Sequence, residues 1–228
     1  MQSIVEITSI GGRAYLVEGE ERAVLVDTLS PGNYVWLMRR LKKRGIDPGK
    51  ISLIVLTHGH IDHFGNALRM REETGAPIAI HELDVEGPSR GRNMRLHSRN
   101  LYEKGLAYFS RRIWTRSFEP DILLSGDEGD FSDYGIAARW IRTPGHTPGS
   151  ICVVLPGDAA IVGDLVIGRF GLLKRPAYPL WVSDDRELKD SVRRLLEYSP
   201  TTLFTGHGGP LDPEEVRRVF VKDRPLPG

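Results

Sequence analysis

The densest reactive cluster in the sequence is His58-Gly59-His60-Ile61-Asp62-His63, four potential metal ligands within six residues. Imidazole nitrogens beside a carboxylate suit zinc, and also iron or manganese. No single helix face or strand side converges four such groups, so the run is expected in a turn. Three later segments each offer one more ligand. His146 stands in the proline-bracketed Thr143-Pro144-Gly145-His146-Thr147-Pro148-Gly149, Asp164 follows Gly163, and His207 lies between Gly206 and Gly208. Loops at strand ends are where sites are assembled on a rigid scaffold. Any one of the three later segments alone is a weak signal; in this order, they describe one metal-binding site.

The elements that must carry these residues are legible from periodicity and breakers. Short β-branched runs at Ile4–Ile7, Ala14–Glu18 and Ala23–Asp27, separated by glycines, predict an opening antiparallel meander. Ser30-Pro31 opens a helix with the stripe Val35, Leu37, Met38 and Leu41, ended by Gly45. The apolar run Ile51–Leu56 is a buried strand that delivers the chain into the histidine cluster, and a helix follows from about His63 to Glu73. In the second half, strands are expected at Ile122–Ser125, Ile136–Ile141, Ser150–Leu155, Ala159–Val162 and Thr202–Thr205. Helices are expected at Asp185–Tyr198 and from Asp212-Pro213 onward. Strand-rich halves, each followed by helices, point to two packed sheets with helices outside.

The motifs THGHIDH, TPGHTPGS, GDL and TGHGGPL, in this order and preceded by VLVDT at Val24–Thr28, resemble the successive metal-binding motifs of the metallo-β-lactamase superfamily. The likeness spans nearly the whole chain and implies an α/β fold, a four-layered αββα sandwich, with residues 1–228 as a single domain. By resemblance, His58, His60 and His146 hold one metal ion, Asp62, His63 and His207 hold a second, and Asp164 bridges both. Asp27 matches a position that supports the ligands from behind. The implied enzyme is a dinuclear metal-dependent hydrolase, with two divalent ions, zinc first and iron or manganese as alternatives. A hydroxide shared by the metals would attack an ester, thioester, lactone or phosphoester, and Asp62 would orient that nucleophile.

The bridging aspartate is similar to that of the glyoxalase II and lactonase branches. The sequence departs from both: little chain follows His207 to grip glutathione, and Ile167 stands where lactonases place a tyrosine. His60 replaces the glutamate usual in flavodiiron proteins. The alternative reading is a persulfide dioxygenase-like oxidoreductase with one iron on His58, His146 and Asp164.

Two segments remain for substrate. Gly168–Trp181 carries Phe170, Lys174, Arg175, Tyr178 and Trp181, which either line the pocket, with the cations drawing an anionic group, or pack outside it. A basic helical insertion at about 88–118 holds eight Lys or Arg between Arg90 and Arg116 against one acid, Glu103. Its helical pattern, Leu101 to Phe118, is expected to pack an aromatic face on the domain and leave its arginines in solvent. The other readings are a cover over the site, with His97 reaching substrate, or a homodimer contact. His81 is expected to be packed or at the surface.

Composition narrows the rest. A net charge of +1 over 228 residues gives no general attraction to nucleic acid or membranes. The N-terminus lacks a signal-peptide layout, no apolar run reaches the ~20 residues of a span, and the single Cys152 precludes an intrachain disulfide. A cytoplasmic protein acting on a small molecule is expected.

Overall fold

Residues 3–157, 159–169 and 175–221 are described by a computed structural model. The opening β-branched runs form the predicted meander: β1 (Ser3–Ser9) pairs antiparallel with β2 (Gly12–Glu18), and β2 with β3 (Ala23–Val26). The chain then crosses through α1 (Tyr34–Lys43) to β4 (Ile51–Val55), which lies parallel to β3. The short α2 (Ile61–Phe64) and α3 (Ala67–Thr74) lead to β5 (Ile78–His81), parallel to β4. After α4 (Glu86–Arg90) and α5 (Leu101–Ser110), β6 (Ile122–Leu124) closes a sheet ordered β1-β2-β3-β4-β5-β6.

The second sheet is ordered β13-β10-β9-β8-β7. It comprises β7 (Glu128–Asp130), β8 (Arg139–Arg142), β9 (Ile151–Leu155), β10 (Ala159–Gly163) and β13 (Thr202–Thr205). Only the β10–β13 pair is parallel, the crossover running through α6 (Asp185–Glu197). A small ribbon of β11 (Ile167–Gly168) and β12 (Pro176–Ala177) precedes α6, and α7 (Pro213–Phe220) follows β13.

Period-2 alternation gives the central strands two buried faces. Tyr15, Val17, Val24, Val26, Leu53 and Val55 meet Trp140, Ile151, Val153 and Ile161 between the sheets. On the other face of the first sheet, Ala14, Leu16 and Leu25 pack with Leu37, Leu41 and Met70 of the helices. On the far side of the second, Cys152, Ala160 and Val162 pack with Leu188, Val192, Leu195 and Val216. Three apolar layers between four structural layers make an αββα sandwich.

Three local expectations are corrected. Helix α1 starts at Tyr34, after Asn33, and Val35 is exposed while Leu37 and Leu41 carry the buried face. The helix expected over His63–Glu73 is broken into α2 and α3 at Gly65-Asn66. The Asn66 amide nitrogen donates to the carbonyls of Thr28 and Ser30, and a side chain on Gly65 would collide with Pro31 and Leu29. Within the pattern Leu101 to Phe118 only Leu101–Ser110 is helical, and of its five aromatic residues only Phe118 packs on the domain, against Phe64, while Tyr102, Tyr108, Phe109 and Trp114 face solvent.

Candidate metal centre

Strand β4 ends at Val55, and Thr57–His60 forms a loop that turns directly into α2. The cluster expected in one turn is therefore half loop, half helix: His58 and His60 precede the helix, and Asp62 and His63 ride on it. The turn is held from behind by Asp27 at the end of β3. Its Oδ1 accepts the Thr57 N–H at 2.8 Å, and its Oδ2 accepts the Thr57 hydroxyl at 2.8 Å and lies 2.8 Å from His63 Nδ1. Asp27 adopts a left-handed backbone, φ 61°, the kind of local cost retained where a site needs it. By orienting His63 through Nδ1 it leaves Nε2 to face the centre.

The other ligand candidates arrive from the second sheet. His146 sits in the loop between β8 and β9, and β9 is locked to the first loop by the Ile151 N–H to Thr57 carbonyl bond, 2.9 Å. Asp164 follows β10, whose register shifts between Ile161 and Gly163. His207 follows β13, whose last residue, Thr205, accepts a 2.7 Å bond from the buried Tyr15 hydroxyl. A side chain on Gly206 would strike the Asp164 carboxylate and the His63 ring, so a residue with no Cβ brings these loops together.

Two groups of donors result. His146 Nε2 lies 3.2 Å from His58 Nε2 and 3.0 Å from His60 Nδ1. Those separations approach the edge of about 3.3 Å expected for a tetrahedron of nitrogens around one zinc-sized ion. In the second group, His207 Nε2 lies 3.2 Å from Asp62 Oδ2. Asp164 reaches both, with Oδ2 3.8 Å from His146 Nε2 and 3.4 Å from His207 Nε2, and Oδ1 3.6 Å from His63 Nε2. His63 Nε2 and Asp164 Oδ1 are buried with no hydrogen-bond partner. Inward-facing polar atoms without partners are costly unless a ligand satisfies them, so this donor set fits metal ions. His58, His60 and His146 could hold one, and Asp62, His63 and His207 another.

The electrostatics divide along the same line. Burial lowers His58 well below the usual imidazole range, His60 to about 3 and His146 to about 4, so all three are neutral nitrogen donors at pH 7. Burial would also lower His63, but Asp27 and Asp164 outweigh it and raise the group to about 9. His207 is likewise raised against its burial by Asp164 and Asp62. Burial opposes ionisation of Asp62 and Asp164, yet the surrounding histidines, His207 foremost, hold both carboxyls below the ordinary range.

One residue the sequence did not single out fastens together the two loops that carry His58, His60 and His146. Asp84, fully buried after β5, accepts the Gly59 N–H at 2.8 Å and the Thr147 hydroxyl at 2.6 Å on Oδ2, and the Gly149 N–H at 2.7 Å on Oδ1. Burial pushes its carboxyl up, and these three donors offset part of that shift. A carboxylate at a strand end beside His81 was the available signal, but its partners are more than twenty residues away along the chain.

The expected substrate residues divide. The Trp181 ring stands edge-on to His60, centroids 6.1 Å apart, with a left-handed φ of 55° and its indole N–H donating 3.1 Å to the Glu103 carbonyl. Tyr178 instead stacks on Phe220 of α7 at 4.5 Å, in the outer core rather than among the ligands. Arg175 is exposed, His97 is half-buried and belongs to neither donor group, and Phe170 and Lys174 lie outside the described residues. His81 is packed, its ring bonded to the Gly126 carbonyl and the Leu83 N–H.

This fold and donor set define a metal-binding αββα protein. Residues 8–207 match the family described as the metallo-beta-lactamase superfamily, and the chain belongs to it. It is 30% identical over 211 residues to the probable metallo-hydrolase YflN of Bacillus subtilis, covering 85% of this chain and 78% of that protein. It is 28% identical to the probable metallo-hydrolase MJ0888 of Methanocaldococcus jannaschii, covering 86% of each. Among solved structures it is similar in fold to an archaeal metallo-beta-lactamase superfamily protein from Sulfolobus tokodaii. That match has a TM-score of 0.72 and 20% identity, and covers all of this chain and 90% of that one.

Proposed function

We propose that this metal-dependent hydrolase works with two divalent ions, zinc by its donor chemistry, and cleaves an ester, thioester, lactone or phosphoester bond in a small molecule. The observation that carries the reading is Asp164, whose two oxygens face both donor groups at once. Bound there, such ions would polarise the substrate oxygen and make water nucleophilic near neutral pH.

The chain supplies orientation and proton handling around that chemistry. Asp62 is the ligand candidate most open to solvent, its side chain 28% exposed. It is ionised at neutral pH, so it accepts hydrogen bonds and can orient an incoming water, while its contact with His207 keeps it from acting as a free base. Trp181 forms an apolar wall beside His60 that a substrate's hydrocarbon portion can cover, excluding water there.

Elemental mass spectrometry of the purified protein, run beside a panel of chromogenic esters, lactones and phosphodiesters, tests the proposal. The expected result is about two zinc, iron or manganese ions per chain and hydrolysis abolished by a chelator. One iron per chain, no hydrolysis and oxygen uptake on a persulfide would replace it with the oxygenase reading.

A further inference from the structure

Helix α5 is fastened to the protein by its polar side. Its N-cap Asn100 accepts the Glu103 N–H at 2.9 Å, and the buried Glu103 carboxylate takes the Arg99 N–H and guanidinium, each at 2.8 Å. Arg99 continues to the Pro179 carbonyl at 2.8 Å. Asn93 spans from the Ile61 N–H, 2.8 Å, to the Ser110 hydroxyl, 2.9 Å. Surface helices normally bury their large apolar side chains; α5 turns most of its own outward and sets Glu103 and Ser110 beside Leu106 and Ala107 on the inner face. Leu101, Tyr102, Tyr108 and Phe109 on its outer face, and Trp114 just beyond it, are 58–84% exposed.

Cations are set into this apolar surface. Lys104 lies one helical turn from both Leu101 and Tyr108. The Arg112 guanidinium stacks over the Tyr108 ring at 3.8 Å and donates to the Tyr108 carbonyl, and Arg111 is exposed beside it. Among the described residues none of these three has a carboxylate partner. Between Arg90 and Ser117 the only acid is Glu103, which is buried and already paired. The whole-chain charge of +1 conceals this local excess.

We propose that this face docks on an anionic lipid surface. Aromatic and aliphatic side chains interleaved with unpaired Lys and Arg match the composition that seats a helix at a headgroup layer, apolar residues at the acyl boundary and cations on the phosphates. A second copy of the chain fits poorly: a two-fold contact would set the same cations against one another. The exposed aliphatic Leu101 and Ile113 share the face with its rings and give a base nothing to stack on, whereas an acyl boundary accepts rings and aliphatics alike. Docking is peripheral, since no helix among the described residues is long and apolar enough to cross a membrane. Through the Trp181–Glu103 bond the docked helix stands directly behind the wall of the metal centre.

The test is sedimentation of the full, metal-loaded chain with phosphatidylcholine vesicles, with and without about 30% phosphatidylglycerol. Expected is at least tenfold stronger partition onto the anionic vesicles, weakened by salt. Phe109→Ser and Trp114→Ser should each cost about tenfold, and Lys104→Ala and Arg112→Ala about fivefold each, with metal content and unfolding midpoint at wild-type values. Absent or charge-independent vesicle binding overturns the proposal. So does a dimer in light scattering that these substitutions dissociate, or binding to a labelled oligothymidine without binding to vesicles.

Discussion

Replacing Asp84 with alanine should weaken the fold and the metal centre together. Among the described residues the carboxylate is the only hydrogen-bond acceptor of the Gly59 and Gly149 N–H groups, each in a loop that carries candidate ligands and each within 2.8 Å of it. Its loss strands both donors in the interior, at about 1–3 kcal/mol apiece. The Thr147 hydroxyl loses less, because Ser150 Oγ already stands 2.6 Å away. Burial of the carboxylate carries its own desolvation cost, visible in its raised pKa, and alanine relieves that. A net loss of about 3 kcal/mol remains, which moves the urea midpoint down by about 1 M. Gly59 lies between His58 and His60, and Gly149 three residues past His146, so metal affinity should fall by about 10–100-fold, the range for groups that orient ligands. Asp84→Asn separates shape from charge: its oxygen can accept one N–H, but its amide opposes the other, so it should fall between wild type and alanine. The assays are urea unfolding of the metal-free protein and metal retention against a graded chelator. If Asp84→Ala unfolds within 0.5 kcal/mol of wild type and keeps its metals equally well, a threshold at the ordinary surface-substitution scatter, the reasoning fails.

Further outcomes follow from the same geometry. Asp164→Ala or His146→Ala should remove turnover on every substrate of the panel while circular dichroism stays native; unchanged kcat in either variant would contradict the assignment. In the metal-free protein His63, raised to about 9, is protonated at neutral pH. Its ion pairing stabilises the fold fully below its unfolded pKa of about 6.5, and that contribution is lost as pH rises through 9. Metal needs the neutral ring, so loading must expel this proton, and metal affinity should climb between pH 7 and 9; a flat profile by competition titration would refute the linkage. Burial pushes the Cys152 thiol up to about 12, so it should resist Ellman's reagent at pH 8 and react only after unfolding. The stability tied to that neutral thiol is complete below about pH 8.5 and is lost as pH approaches 12.

The candidate ligand residues, which the fold brings into two groups, were legible in the sequence because each is announced locally. An apolar strand ends and, within three residues, a histidine or aspartate stands next to a glycine, as at Val55 to His58, Val162 to Asp164 and Phe204 to His207. The sandwich was legible for a related reason: strands buried on both faces read as continuous apolar runs. What escaped depends on partners distant in the chain. Asp84 is one carboxylate among many until the fold brings Gly59 and Gly149 to it from opposite sheets. The break between α2 and α3 is set by the backbone of Thr28–Ser30, which claims the Asn66 side chain. Tyr178 looked like a pocket residue because it follows Asp164 closely, yet the turn through β12 delivers it to Phe220. Helix α5 misled in a more telling way. Its aromatic periodicity predicts a buried face, and periodicity reports only that a helix has an apolar side. Which side meets the protein was decided by Glu103 and Ser110, which flank the buried Ala107: Arg99 donates to the Glu103 carboxylate, Trp181 to the Glu103 carbonyl and Asn93 to the Ser110 hydroxyl. An apolar stripe left outward while polar groups hold the inner face is stable only because those inner groups are satisfied. The same arrangement leaves the stripe free for another surface.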